Sequence, residues 1–235
     1  MRTVETAYGP FTGFDQDLVT QILSTGQFWD AQIRPYLDQA DPAGWAIDLG
    51  ANIGWFTVYL AQRHPHVIAV EAHPTTRERL QHNVRANTAE GVVHVVGGAA
   101  YDVLTLLRIA PEAWLGWPIA DLVNLDLVPN AASLAFVAGI VGDRGEILAG
   151  PIDLAVPKDA HVSLIKCDVQ GADLRALRGL RSTIRRCRPL IVFEFEEGAS
   201  AWHGDEWCDY EGFFSALGYR LERVRADLGD WVAWP

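Results

Sequence analysis

The chain has 235 residues, 49% hydrophobic and 21% charged, an ordinary soluble composition long enough to bury a substantial core in one α/β domain. Its 30 acidic residues against 19 lysines and arginines leave a formal charge of −11, which repels nucleic-acid backbones and acidic lipid surfaces and removes both from the expected partners. Cys167, Cys187 and Cys208 show no C-x-x-C spacing, so neither a disulfide framework nor a zinc site is expected; with no basic-then-apolar leader in MRTVETAYGP, the expected compartment is cytoplasmic.

In chain order, residues 15–38 carry apolar side chains at helical spacing, broken at Gly26 and Pro35, and predict one or two helices of an N-terminal helical cap spanning 1–44. WAIDL (45–49) predicts a buried strand, 55–63 a helix, VIAVEA (67–72) a second strand and 75–87 a polar helix. VVHVVGGAA (92–100) predicts a third strand running into small residues. Strands alternating with helices at this spacing imply a parallel sheet with right-handed crossovers. Residues 103–160, broken by proline and glycine, read as an insertion before the fourth strand, VSLIKCDV (162–169). An arginine-rich helix (172–186), the strand PLIVFEFE (189–196) and a helix (210–217) follow. YRLERVR and DWVAWP, joined by ADLGD (226–230), read as a terminal antiparallel hairpin.

The first strand feeds G-A-N-I-G at Gly50, Asn52 and Gly54, a turn that brings backbone N–H groups and a helix N-terminus to the carboxyl edge of the sheet. A dinucleotide site would require G-x-G-x-x-G, and Asn52 stands where its middle glycine belongs. Asp48 just before the turn adds negative charge, unfavourable beside a pyrophosphate and favourable beside an ammonium or sulfonium. Glu71 ends the next strand about 20 residues on, where a carboxylate accepts both hydroxyls of a ribose. Asp102 is placed to accept an adenine amino group, with Ala99 among the small residues leaving room for the ring. Together these predict an S-adenosyl-L-methionine site. The competing reading makes Gly50 and Gly54 helix-packing glycines and Glu71 a solvated strand end.

AIDLGANIGWFT, AVEAHPTTRERLQHNVRAN, GGAAYD and LIKCDVQGADLRALRGLRSTIRRCRPLIVFEFE, in that order, resemble the FkbM family of S-adenosylmethionine-dependent methyltransferases, and STGQFWD (24–30) is similar to its lead-in. The resemblance implies a class I methyltransferase fold. This is a Rossmann-like three-layer α/β sandwich with a seven-stranded, mostly parallel sheet and a C-terminal antiparallel hairpin. It also implies methyl transfer, usually to oxygen, in natural-product, sugar or glycan biosynthesis. The family's D-V-E-G-x-E reads DVQGAD here, with Gln170 and Asp173 at the altered positions.

Methyl transfer from a sulfonium needs alignment above all, with a base within hydrogen-bond reach of a hydroxyl acceptor. Asp168, at the end of the fourth strand, is the first candidate; its alternative is an N-cap for the next helix. Glu194 and Glu196 lie two apart on the fifth strand and face the same way. His161 and His203 flank these strands as further candidate bases, and no resident metal is expected. Arg175, Arg178, Arg181, Arg185, Arg186 and Arg188 read as one solvated helix face, while Trp114 and Trp117 can stack on an acceptor or pack the insertion. The expected partner is a small-molecule acceptor, with a homodimer allowed.

Overall fold

The computed structural model describes residues 1–15, 17–109, 120–123 and 146–235. It opens with β1 (Arg2–Thr6) and β2 (Gly9–Gly13), an antiparallel hairpin, followed by α1 (Leu18–Leu23) and α2 (Arg34–Leu37). The expected helical cap over 1–44 therefore begins as a β-hairpin, and its helices start only at Leu18. Of the residues in the hairpin strands, Val4, Phe11 and Gly13 are buried, too sparse an alternation to signal a strand pair in the sequence. The hairpin is anchored from afar: Asn83 accepts from Thr12 N–H at 2.8 Å and donates to the Thr12 and Ile53 carbonyls at 3.0 and 2.8 Å.

The chain then lays down β3 (Trp45–Leu49), α3 (Trp55–Ala61), β4 (Val67–Glu71), α4 (Pro74–Asn87) and β5 (Val93–Gly97). After β6 (Ala99–Ala100), β7 (Thr105–Ile109), β8 (Ala120–Val123) and β9 (Glu146–Gly150) come β10 (Val162–Cys167), α5 (Asp173–Arg178), α6 (Arg181–Cys187) and β11 (Leu190–Glu194). Last are α7 (Glu197–Trp202), α8 (Trp207–Ala216), β12 (Arg220–Arg223) and β13 (Asp230–Trp234).

The main sheet has seven strands in the order β12-β13-β11-β10-β3-β4-β5. Its centre is parallel and β13 runs antiparallel to both β11 and β12, as the terminal hairpin requires. Strands buried on both faces read as nearly continuous apolar runs, which is why the central strands stand out in the sequence. Alternation then splits the core: Ile47, Ile165 and Phe193 pack with Leu174, Ile184 and Tyr210. Ala46, Leu164 and Val192 pack with Phe11, Leu37 and Phe56 on the other face. The result is three layers, with β3 and β10 at the centre.

Two further readings are corrected. The segment between the third and fourth strands builds a second sheet, β6-β9-β7-β8, which takes Ala99 and Ala100 away from the third strand. The arginine-rich stretch forms two helices that part at Gly179 and Leu180; Gly179 is bare because an added Cβ would stand 2.1 Å from the Tyr101 carbonyl oxygen. Asp153 caps the second helix from outside, accepting from the Ser182 and Thr183 N–H groups, each at 2.9 Å. Trp114 and Trp117 lie outside the described residues.

Candidate functional site

The G-A-N-I-G turn sits at the carboxyl end of β3 with Gly50, Asn52 and Gly54 all at positive φ (75°, 49° and 95°). Gly50 is bare because β10 passes beside it: an added Cβ would lie 1.8 Å from the Asp168 carbonyl oxygen. At Gly54 the nearest atom would be Leu80 Cδ1 at 2.8 Å, so packing against α4 adds to its left-handed conformation. The expectation of free loop amides is corrected. The Gly50 and Ala51 N–H groups donate to Val70 O at 3.0 and 2.9 Å, Gly54 to Ala51 O at 2.8 Å, and Asn52 to Glu71 Oε2 at 2.9 Å. Such a turn offers little to a pyrophosphate.

Glu71 ends β4 nearly buried, with Oε1 accepting from His73 N–H at 2.8 Å and Oε2 from Asn52 N–H. Burial pushes its carboxyl upward, and those two N–H bonds oppose the shift. One donor per oxygen leaves a lone pair on each, the acceptor pair a ribose diol requires. The chemistry of this carboxylate therefore fits an adenosyl ligand. Asp102 is already engaged, its Oδ2 3.4 Å from Arg175 Nη1, and Ala99 lies in β6, two residues past the end of β5. Arg175 also donates to Asp205 at 2.6 Å and to the His203 carbonyl at 2.8 Å, and Arg178 to Asp205 at 3.1 Å. These two arginines therefore tie helices together and do not belong to a solvated face.

Asp48 does not meet a ligand as a free charge. It is fully buried, accepts from Thr57 at 2.6 Å, and lies 3.6 Å from Lys166 Nζ. The pairing follows from the sheet: Asp48 and Lys166 are register partners on adjacent parallel strands, so both side chains point to the α3 face. Lys166 is 4% exposed, sits 5.1 Å from the Phe56 ring, and donates to Asp168 Oδ2 at 3.4 Å. Burial pulls the two partners apart in charge, raising Asp48 and lowering Lys166. The ammonium prevails, because Asp168, Asp48 and Asp30 surround it and raise it overall.

Asp168 is not a helix cap. Gln170 donates to its Oδ1 at 3.0 Å, a bond the family's usual glutamate could not make when ionised; Asp173, the first residue of α5, accepts from the Val169 and Gly171 N–H groups of the preceding turn, and the helix has no side-chain cap bond. Asp173 is fully buried, and burial and then Asp168 push it up to about 7. Asp168 faces a cavity of about 210 Å³ whose walls include Lys166, Glu194, Glu196, Asp30, Gln32 and Asp230. Both glutamates reach it, as their spacing predicts. Burial, followed by Asp168, Asp173, Glu196 and Asp230, pushes Glu194 up to about 9.

His161 is corrected as a candidate base. It is exposed at the start of β10, about 20 Å of strand from Asp168, and lines a different hollow with Ser163 and Arg188. His203 is buried beside Tyr101, outside the cavity lining. Asp30, Gln32 and Asp230 were not singled out in the sequence. The only trace of the first was its place in STGQFWD, and Asp230 is recognisable only once β13 pairs it with Glu194.

The sequence matches the Methyltransferase FkbM domain over residues 148–221, the stretch that includes Asp168 and Glu194. It is 26% identical over 212 residues to Methyltransferase 1 of Beauveria bassiana (strain ARSEF 2860), covering 85% of this chain and 79% of that protein. The fold is similar to the crystal structure of Methyltransferase FkbM from Methylobacillus flagellatus KT, with a TM-score of 0.53 at 17% identity. That alignment covers 82% of this chain but only 44% of the other, so this chain spans less than half of that protein. Strand order and the match to that crystal structure show a class I methyltransferase fold, and residues 148–221 are similar to the Methyltransferase FkbM domain.

Proposed function

We propose that the protein transfers the methyl group of S-adenosylmethionine to a hydroxyl oxygen of a small natural product or sugar held in the cavity beside Asp168. One observation carries this reading: Asp168 touches both halves of the site. Its carbonyl packs on Gly50 of the turn and its carboxylate lines the cavity. S-adenosylmethionine supplies a methyl carbon already activated by its sulfonium, so the chain's own task is placement and proton removal. Glu71 supplies the ribose acceptors. Lys166 and Gln170 hold one Asp168 oxygen each, fixing the carboxylate at the cavity wall. Asp168 takes the hydroxyl proton. Glu194, protonated near neutral pH by its surroundings, donates a hydrogen bond to the acceptor.

The test is Asp168→Asn, which keeps the shape and removes the charge. S-adenosylhomocysteine affinity measured by calorimetry should stay within a few-fold of the parent, while turnover with a confirmed hydroxyl acceptor should fall by about 10² to 10⁴. Retained turnover would remove Asp168 as the base and leave Glu194 as the remaining carboxylate on the cavity floor.

A further inference from the structure

The cavity at the carboxyl edge is closed by segments far apart in the chain. Asp30 and Gln32 come from the stretch before α2, Leu228 and Gly229 from the turn between β12 and β13, and Asp230 from the start of β13. Its floor is the ends of β10 and β11. Charge in this enclosure is one-sided. Asp30, Asp168, Glu194, Glu196 and Asp230 line it, and Asp227 at the rim is already paired with Arg225 at 2.7 Å. Among the described residues Lys166 is the one cation in the lining, and it is matched by Asp168 and by Asp48 behind it.

Two contacts show that this imbalance is not resolved among the described residues. Glu194 and Asp230 are direct register partners on antiparallel strands, two acidic side chains whose joint ionisation sheet packing disfavours. Asp30 and Asp230 share one neutral donor, Gln32 Nε2, at 3.3 and 3.0 Å. Burial, and for Asp30 then Asp230, pushes both carboxyls up, Asp30 to about 6. The unmatched carboxylates of this enclosure suit a cationic ligand that can donate hydrogen bonds.

Resting on the methyltransferase reading above, we infer that the acceptor is a small polar molecule carrying an ammonium group, seated between Asp30 and Asp230 with its reacting hydroxyl toward Asp168. The ammonium offers three donors to carboxylates that have one shared neutral donor between them, and relieves their mutual repulsion. A neutral sugar of the same shape leaves both carboxylates unmatched, and a carboxylate-bearing acceptor is repelled. The charge of the acceptor, more than its skeleton, decides entry.

The experiment uses the full chain loaded with S-adenosylhomocysteine. Amino sugars and amino alcohols are each paired with the N-acetyl derivative, and binding is read by saturation-transfer NMR and by competition titration. Amines should bind about tenfold or more tightly than their N-acetyl partners. The double variant Asp30→Asn/Asp230→Asn should abolish that preference. Its S-adenosylhomocysteine affinity should be unchanged, which also shows that it is folded. Equal or tighter binding of the neutral partners, or no amine binding at millimolar concentration while S-adenosylhomocysteine binds, overturns the inference and leaves the methyltransferase reading intact. If S-adenosylhomocysteine itself does not bind, that reading falls and the acceptor assignment falls with it.

Discussion

Lys166 holds a full charge at the centre of the sheet, and its partners explain why that is stable: Asp48 on the neighbouring strand and Asp168 two residues on share one ammonium. Glu194, at the same edge, has no such partner among the described residues, and its surroundings raise it from an ordinary 4.5 to about 9. The native state therefore keeps a proton that the unfolded chain has released across this interval. Glu194's stabilising contribution is full below about pH 4.5 and is lost as pH rises through 9. The buried histidines His64 and His203 are lowered from 6.5, so their opposing contribution is already complete above that value. Between pH 7 and 9 the melting temperature should fall, and Glu194→Gln should flatten the fall; an unchanged slope in the variant would mean that Glu194 is ionised in the native state. Glu71 makes a separate point. Glu71→Ala leaves the Asn52 and His73 N–H groups without their acceptor and removes the proposed diol contact, so S-adenosylhomocysteine affinity should drop by about 1–3 kcal/mol by calorimetry. Equal affinity would reduce Glu71 to a strand end.

Among the elements, the glycine turn shows the difference between conformational need and close approach. Gly26 and Gly50 have nearly the same φ, +79° and +75°, but a Cβ on Gly26 meets open space whereas one on Gly50 meets the Asp168 carbonyl. Gly26→Ala should therefore cost only the left-handed strain of about 1–2 kcal/mol in denaturant unfolding. Gly50→Ala should cost clearly more and weaken S-adenosylhomocysteine binding, because relief of the clash must move the end of β10. Equal losses for the two variants would show that the turn tolerates separation from Asp168. The arginine-rich segment illustrates the same dependence on neighbours: its periodicity suits one helix, but Asp153, from outside, caps a second one that starts after Leu180.

For the molecule as a whole, a ligand that binds the folded state alone raises its stability by mass action. S-adenosylhomocysteine at about 100 times its dissociation constant should contribute about 2.7 kcal/mol, which for a chain of this size is a rise of about 5–10 °C in melting temperature. NAD at the same concentration should leave the melting temperature unchanged, since the loop amides that would meet a pyrophosphate already bond to the chain. A comparable rise with NAD would overturn the adenosyl assignment.

The sequence by itself determined the central parallel strands, the terminal hairpin and the order of motifs along them. Strands buried on both faces must be apolar throughout, and their ends are marked by glycine and acid whatever surrounds them. The placement of Glu71, Asp168, Glu194 and Glu196 at one sheet edge followed from strand ends alone. Only the tertiary structure decided the rest. The N-terminal hairpin buries too few side chains to leave a periodic signal, and it is fastened by Asn83, some 70 positions away. Asp48 reads as a free charge until sheet register sets Lys166 beside it, and His161 reads as adjacent to the site until strand direction places it at the opposite end. The acidic enclosure exists only where the chain's two ends meet over β10 and β11, bringing Asp30 and Asp230 together across 200 residues. Register and closure are properties of pairs of segments, and no local pattern encodes them.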